Sequence, residues 1–227
     1  MAISDSASSA LKKISQRRSR TMTTIAAEAI EEMIKSGDLV AGDRINESVL
    51  ADQLGISRGP IREACRSLEQ AGLLSNQTNR GMYVREMSVD EAKELYELRG
   101  ALAGLVGELI VRKASDGQVQ DLSELVDRMQ TVADKSDTAA YYKLNLRFHD
   151  MLVEAAGNAA LAETYQRIVN QLHLLRRRGL VQEGNLLVSN KEHRAIADAL
   201  NARDLEAASQ AMKQHVSNGL DRLLASL

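Results

Sequence analysis

The chain has 227 residues, with 29 Lys and Arg against 31 Asp and Glu, a formal net charge of −2 and a single cysteine. That length fits one large or two small domains. One cysteine excludes an internal disulfide, and the near-neutral balance excludes a uniformly basic nucleic-acid coat. No apolar run approaches the roughly 18 residues that cross a bilayer, and residues 1–20 lack the apolar core of a signal peptide. The expected location is therefore the cytoplasm.

Residues 1–20 are Ser-rich and carry Lys12, Lys13, Arg17, Arg18 and Arg20; they read as a disordered basic arm. Residues 47–74 read as two short helices joined by a tight turn. Leu50, Leu54 and Ile56 supply the apolar contacts of the first helix and the turn, and Gly55 stands where a left-handed residue must end that helix. Ser57 is a candidate N-cap, and Pro60 falls in the first turn, where its missing N–H costs no hydrogen bond. Ile61, Ala64, Cys65 and Leu68 follow helical spacing and make an inward face. Arg58, Arg62 and Arg66, spaced by four, stack on the outward face.

An arginine near the start of such a helix can fork onto guanine, while backbone amides and a further arginine hold phosphate. A solvated arginine face on an ordinary helix is the plainer alternative. The next segment favours the DNA reader: Leu73-Leu74, a polar stretch and Asn79–Val84 read as strand, turn and strand, a wing tipped by Arg80. Charge agrees when counted locally. Residues 1–87 hold 12 basic against 11 acidic residues, and residues 88–227 hold 17 against 20, so the positive charge is confined to the reader and the arm. Cys65, on the inward face, reads as a small buried apolar residue.

The run SRGPIREACRSLEQAGLL, preceded by GDRINESVLADQLGI and followed by NRGMYV, resembles the winged-helix domain of GntR-family bacterial transcription regulators over residues 22–87. The resemblance implies that Arg58 and Arg62 read the major groove, with Ser57 and Gly59 at the helix start also at the DNA. It further implies that Arg80 with Gly81 approaches the minor groove. Some members carry an arginine near Ser48, which this chain lacks, so its operator is expected to differ.

From Ser88-Val-Asp-Glu91, a capping-box pattern, the chain reads as six helices with no strand alternation: 89–114, 117–134, 137–156, 159–178, 185–201 and 204–226. The fold expected is mainly α, with a winged helix-turn-helix over residues 21–87 and an all-α six-helix bundle over 88–227. Polar residues fall on stripes that should be buried. Tyr142, Leu146, His149 and Val153 form one, with Asn145 a turn before His149. His193 aligns with Leu186, Ala197 and Leu200. His215 aligns with Leu205, Ala208, Met212 and Gly219, and Arg99 with Ala92, Tyr96, Leu102 and Val106. His173 fits no such stripe.

A lone buried histidine is more often a satisfied core group than a ligand. Unpartnered polar burial costs roughly 2–7 kcal/mol, so three on inward stripes call for a shared explanation. A divalent metal held by Asn145, His149, His193 and His215 supplies one. Zinc is the first expectation, and nickel, iron or manganese would also accept imidazole. Arg99 suits a carboxylate ligand; a core arginine satisfied by a glutamate is its alternative.

This half resembles the helical effector domain, called FCD, of the FadR-type branch of GntR regulators, and by helix number its shorter VanR-like subgroup. The family pattern there is Asp or Asn, three residues, His, then two later His, matched by Asn145-Leu-Arg-Phe-His149, His193 and His215. Asn for the commoner Asp lowers the ligand charge. The resemblance implies a homodimer on a palindromic operator, acting as a repressor, with a small organic acid as effector. A metal sensor without an organic effector is one alternative. A metal-dependent hydrolase is another, suggested by His149-Asp150; such a site needs a histidine upstream of that pair, and His149 is the first in the chain. A non-enzyme is expected.

Overall fold

The structure is a computed structural model that describes residues 22–34, 36–78, 80–181 and 185–226, with the side chains of 173–181 outside the description. The basic arm, Asn79 and the side chain of His173 lie outside the described residues. The chain divides into two compact units, meeting in sequence between Glu86 and Met87.

The first unit comprises α1 (residues 22–34), α2 (Glu47–Leu54), α3 (Arg58–Gln70), β1 (Leu74–Gln77) and β2 (Gly81–Val84). Asn46 caps α2, its Oδ1 accepting from Ser48 N at 3.1 Å and Val49 N at 3.2 Å. Gly55 ends α2 at φ 64°, a left-handed value that glycine adopts without strain. Ser57 precedes α3 with extended backbone, but its side chain makes no capping hydrogen bond. The capping expected of it is therefore met by backbone conformation alone.

Ile61, Ala64, Cys65 and Leu68 are the buried residues of α3. They pack in a core with Ala26, Ile30 and Ile34 of α1 and Leu74 and Val84 of the hairpin, all buried. The hairpin is antiparallel with Leu74 opposite Val84 and Gln77 opposite Gly81. On its other edge β2 meets the segment before α2: Arg44 bridges to Tyr83, and Ile45 N donates to Met82 O at 2.9 Å. That third edge ties the wing to the start of α2.

The second unit is a six-helix bundle: α4 (Val89–Lys113), α5 (Asp116–Ala133), α6 (Thr138–Ala155), α7 (Ala159–Val181), α8 (Asn185–Asn201) and α9 (Leu205–Leu224). Ser88 caps α4, and a reciprocal capping box of Ser115 and Gln118 opens α5, one residue earlier than the sequence suggests. Asp137 and Asp204 cap α6 and α9. The α7 helix continues through Gly179 to Val181; a single glycine weakens a helix by roughly 1 kcal/mol and need not end it.

The most extensive helix pairing among the described residues is α4 against α9, and it includes small residues. A Cβ on Gly107 would stand 2.8 Å from Ala208 O. The inner face of α6 is turned from the expected stripe: Tyr141, Asn145, Phe148, His149 and Leu152 are buried, while Tyr142 and Leu146 are only partly so. Phe148 and Tyr141, fully enclosed, draw the helix round by that fraction of a turn.

Candidate metal centre and nucleic-acid interface

Three helices each deliver one histidine to the bundle interior: His149 from α6, His193 from α8 and His215 from α9. They are 5 %, 0 % and 7 % exposed. One nitrogen of each lies within 4.8 Å of the others, a cluster that can hold a metal ion. His215 Nε2 and His149 Nε2 are 3.4 Å apart, and two nitrogens each about 2.0–2.1 Å from a tetrahedral zinc stand about 3.4 Å apart.

The surroundings orient these rings. His215 Nδ1 is 2.7 Å from Glu192 Oε2. Arg222 holds Glu192 through NH1 at 2.6 Å and NH2 at 2.9 Å, and Asn218 Nδ2 donates to Oε1 at 2.9 Å. Burial works against the Glu192 charge, but His215, Arg222 and Asn218 outweigh it and hold the carboxyl near pKa 2. For His215, burial dominates and pushes the ring down to about 4, against the pull of Glu192 and with the charges of Arg99 and Arg222 adding. The ring is therefore neutral at pH 7. With its Nδ1–H donating to the Glu192 carboxylate, the Nε2 lone pair faces the cluster, as a metal-binding imidazole requires.

His193 Nδ1 lies 3.4 Å from the Tyr141 hydroxyl, a phenol that burial keeps protonated by raising it to about 12. The tautomer donating from Nδ1 leaves Nε2 as acceptor. Asn145, 1 % exposed, sits one turn before His149, and its Nδ2 has no hydrogen-bond partner among the described residues. A buried carboxamide so left costs stability unless another group takes it up. Three convergent imidazoles, an anchoring carboxylate and a spare amide together fit a divalent cation of the imidazole-accepting class.

Arg99, on α4, is 2 % exposed. Its Nε donates to Tyr165 OH at 3.3 Å, and its guanidinium lies 5.5 Å from the Tyr96 ring centre and 5.8 Å from that of Tyr165. Burial opposes its charge; the neighbouring tyrosines, Tyr165 foremost, offset this and keep it above the ordinary arginine value. Among the described residues no carboxylate pairs with it, so the glutamate-satisfied core arginine is not what the structure contains. Glu192, Arg222, Asn218, Tyr141 and Tyr165 were not found from sequence. Glu192 and Asn218 adjoin histidine stripes, but their convergence depends on how α8 and α9 pack.

On the first unit, Ser57, Arg58, Gly59, Arg62 and Arg66 are exposed along α3, and Arg80 and Gly81 at the wing. Arg62 Nε is held by Glu47 of α2 at 2.7 Å, and Arg66 by Glu63 at 3.2 Å. Arg58 shares a concave surface with Arg44, Asn46, Glu47, Ser48 and Gly81. Gly81, at φ 100°, would place a Cβ 3.8 Å from the Arg44 guanidinium. Arg44 was not singled out from sequence; it reaches this surface through its backbone bridge to Tyr83. Cys65 beneath is 1 % exposed, and burial, with the Glu47 charge adding, pushes its thiol up to about 11.

Comparison with known proteins places both units. Residues 23–84 match the family of bacterial regulatory proteins called gntR, and residues 94–218 match the FCD domain. The chain is 30% identical to a protein of Paenarthrobacter nicotinovorans named probable D-xylose utilization operon transcriptional repressor, over 87% of this chain and 88% of that one. It is 28% identical to the HTH-type transcriptional regulator YdhC of Bacillus subtilis, over 86% and 87%. Among solved structures, McbR/YncC of E. coli superposes with a TM-score of 0.79 at 21% identity, covering 90% of this chain and 97% of that one; at that identity the likeness is one of fold. Among the described residues no helix is long and apolar enough to cross a membrane.

Proposed function

The chain belongs to the GntR family of bacterial regulatory proteins, with an FCD domain as its C-terminal unit, and from that premise we propose a metal-assisted sensor of small organic acids that controls operator binding. It is a DNA-binding transcriptional regulator. Its mode is repression, a reading supported by relatives named as repressors, and it acts in the cytoplasm as a homodimer on a palindromic site. Arg58 and Arg62 address base edges in the major groove, Ser57 and Gly59 contact the backbone there, and Arg80 with Gly81 enters the minor groove. Arg44, between Arg58 and Gly81, takes a phosphate.

The observation that carries the effector reading is Arg99: a guanidinium 2 % exposed with no carboxylate of its own among the described residues. A buried cation is stable only when paired, and a ligand carboxylate supplies the missing anion in a bidentate fork. Its charge also bears on His215, in keeping with an acid bound near the metal. A divalent ion on Asn145, His149, His193 and His215, with zinc the first candidate and nickel, iron or manganese also suited, would offer Lewis acidity to a second carboxylate oxygen. Glu192 fixes the tautomer of His215, and Tyr141 orients His193. Arg99 lies on α4, which begins only a few residues after the first unit ends. A ligand that draws on Arg99 therefore acts on the helix directly continuous with the DNA reader.

Operator release in a fluorescence-anisotropy titration tests this. The metal-loaded chain should release DNA on addition of a di- or tricarboxylic acid screened from a panel, and Arg99→Leu should retain DNA whatever acid is added. Release by metal alone, with no acid effect, would establish the metal sensor in its place. Turnover of a phosphoester by the purified chain would instead favour the hydrolase.

A further inference from the structure

Glu47 is the first residue of α2, and its carboxylate accepts from Arg62 Nε on α3 at 2.7 Å. Its backbone is fixed where it stands: Asn46 caps the helix before it, and Ser48 and Val49 after it give their N–H groups to that cap. The side chains of Arg62 and Glu47 are 60 % and 28 % exposed, and an ion pair so open to water adds little to stability. An acid is also unfavourable on a surface that must approach phosphate. Glu47 lines the same concave surface as Arg44, Arg58 and Gly81, and a like charge repels the DNA backbone. Neither the fold nor phosphate binding accounts for a carboxylate in this place. The shape of a guanidinium does.

Arginine offers five N–H donors in a fixed plane, one on Nε and two on each terminal nitrogen. It can grip a partner side-on, through Nε and one terminal nitrogen, or end-on, through both terminal nitrogens. With Nε given to Glu47, only the end-on fork remains, and its direction is set by where α2 begins. We propose that Glu47 is a positioning residue for DNA reading: it aims Arg62 end-on at a guanine edge and denies that arginine to phosphate. The proposal rests on the assignment of Arg62 to the major groove.

A carboxylate beside Nε offsets the guanidinium charge, and that charge is what attracts a phosphate. It leaves the terminal donors free for O6 and N7 of guanine, a neutral base recognised by hydrogen bonds. A side chain already held also loses less rotamer freedom on binding. The neighbouring arginines differ. Arg58, one turn earlier, has no ion pair among the described residues, and Arg66, one turn later, meets Glu63 through a terminal nitrogen, NH1, at 3.2 Å. Of the three, Arg62 alone is held and still has its fork whole.

Selection of duplexes from a randomised library by the full chain tests this, followed by anisotropy on the selected duplex and on a scrambled one of equal length. The native chain should select a guanine in each half-site that becomes tolerant in Arg62→Ala. Glu47→Gln should loosen that same guanine and weaken the selected duplex, yet bind the scrambled duplex roughly three- to tenfold more tightly at low salt. A damaged fold would weaken both, so opposite changes mark positioning. Glu47→Gln/Arg62→Ala should lose the gain on the scrambled duplex, because the gain runs through Arg62. Retention of that gain, equal tightening on both duplexes, weakening on both, or no change would each overturn the positioning role. Loosening at a cytosine that Arg62→Ala leaves intact would make Glu47 a base reader itself and overturn it too. Unchanged base preference in Arg62→Ala would instead overturn the major-groove assignment on which the proposal stands.

Discussion

Arg62, proposed above to read the major groove, is already held by Glu47 at 2.7 Å, whereas Arg44 has no ion pair among the described residues. The two should therefore fail differently. Arg62→Ala is expected to weaken operator binding by roughly 1–3 kcal/mol and to relax base preference at one position. Arg44→Ala should weaken specific and non-specific DNA alike and reduce the salt dependence of binding by about one charge. Footprints and anisotropy over a salt series distinguish them, and an unchanged salt slope for Arg44→Ala would remove that residue from the interface. Cys65 supplies a control on the fold beneath. With its thiol near pKa 11 and almost no exposure, it should resist alkylation at pH 8 until denaturant is added. Its proton is held more tightly folded than unfolded, so its contribution to stability is intact below about pH 9 and is lost as pH rises toward 11. Rapid stoichiometric alkylation of the native protein would contradict the burial.

At the level of elements, α4 packs against α6, α7 and α9, and its glycines show where the packing is close. Gly107 faces the backbone of α9, where an added Cβ would stand 2.8 Å from Ala208 O. Gly100 would place one 3.9 Å from Val216 Cγ1, ordinary contact distance. Gly107→Ala is thus expected to lower the free energy of unfolding by about 1–3 kcal/mol through overpacking. Gly100→Ala should be neutral or stabilising, by up to about 1 kcal/mol, from the gain in helix propensity. Urea denaturation followed by circular dichroism measures both. Equal effects at the two glycines would mean that α4 and α9 are not so closely apposed.

For the whole molecule, two compact units within one chain predict two separable responses. A metal bound by folded but not unfolded protein raises stability by mass action, and all of its proposed ligands lie in the second unit. Removal of metal by a chelator should lower the thermal midpoint of the helical bundle and leave that of the winged helix unchanged. His149→Ala should abolish metal retention while leaving a folded chain that still binds DNA. Calorimetry with metal analysis checks both, and persistent stoichiometric metal in that variant would refute the ligand set.

Local patterns were enough to read the helix-turn-helix, the wing and the six-helix bundle, because capping, glycine placement and helical periodicity act over a few residues. Gly55, Pro60 and the Ile61, Ala64, Cys65, Leu68 face needed no knowledge of the rest of the chain. The three histidines and Arg99 could be placed on inward faces by the same periodicity. Periodicity gives direction from one helix axis, not the crossing of several, so packing alone decided the rest. It turned α6 toward Tyr141 and Phe148, brought Glu192 of α8 beneath His215 of α9, and set Arg44 beside Gly81 across the root of the wing. It also left Arg99 without a carboxylate among the described residues. Those are relations between residues far apart in sequence, and they exist only once the helices have buried their apolar faces against one another.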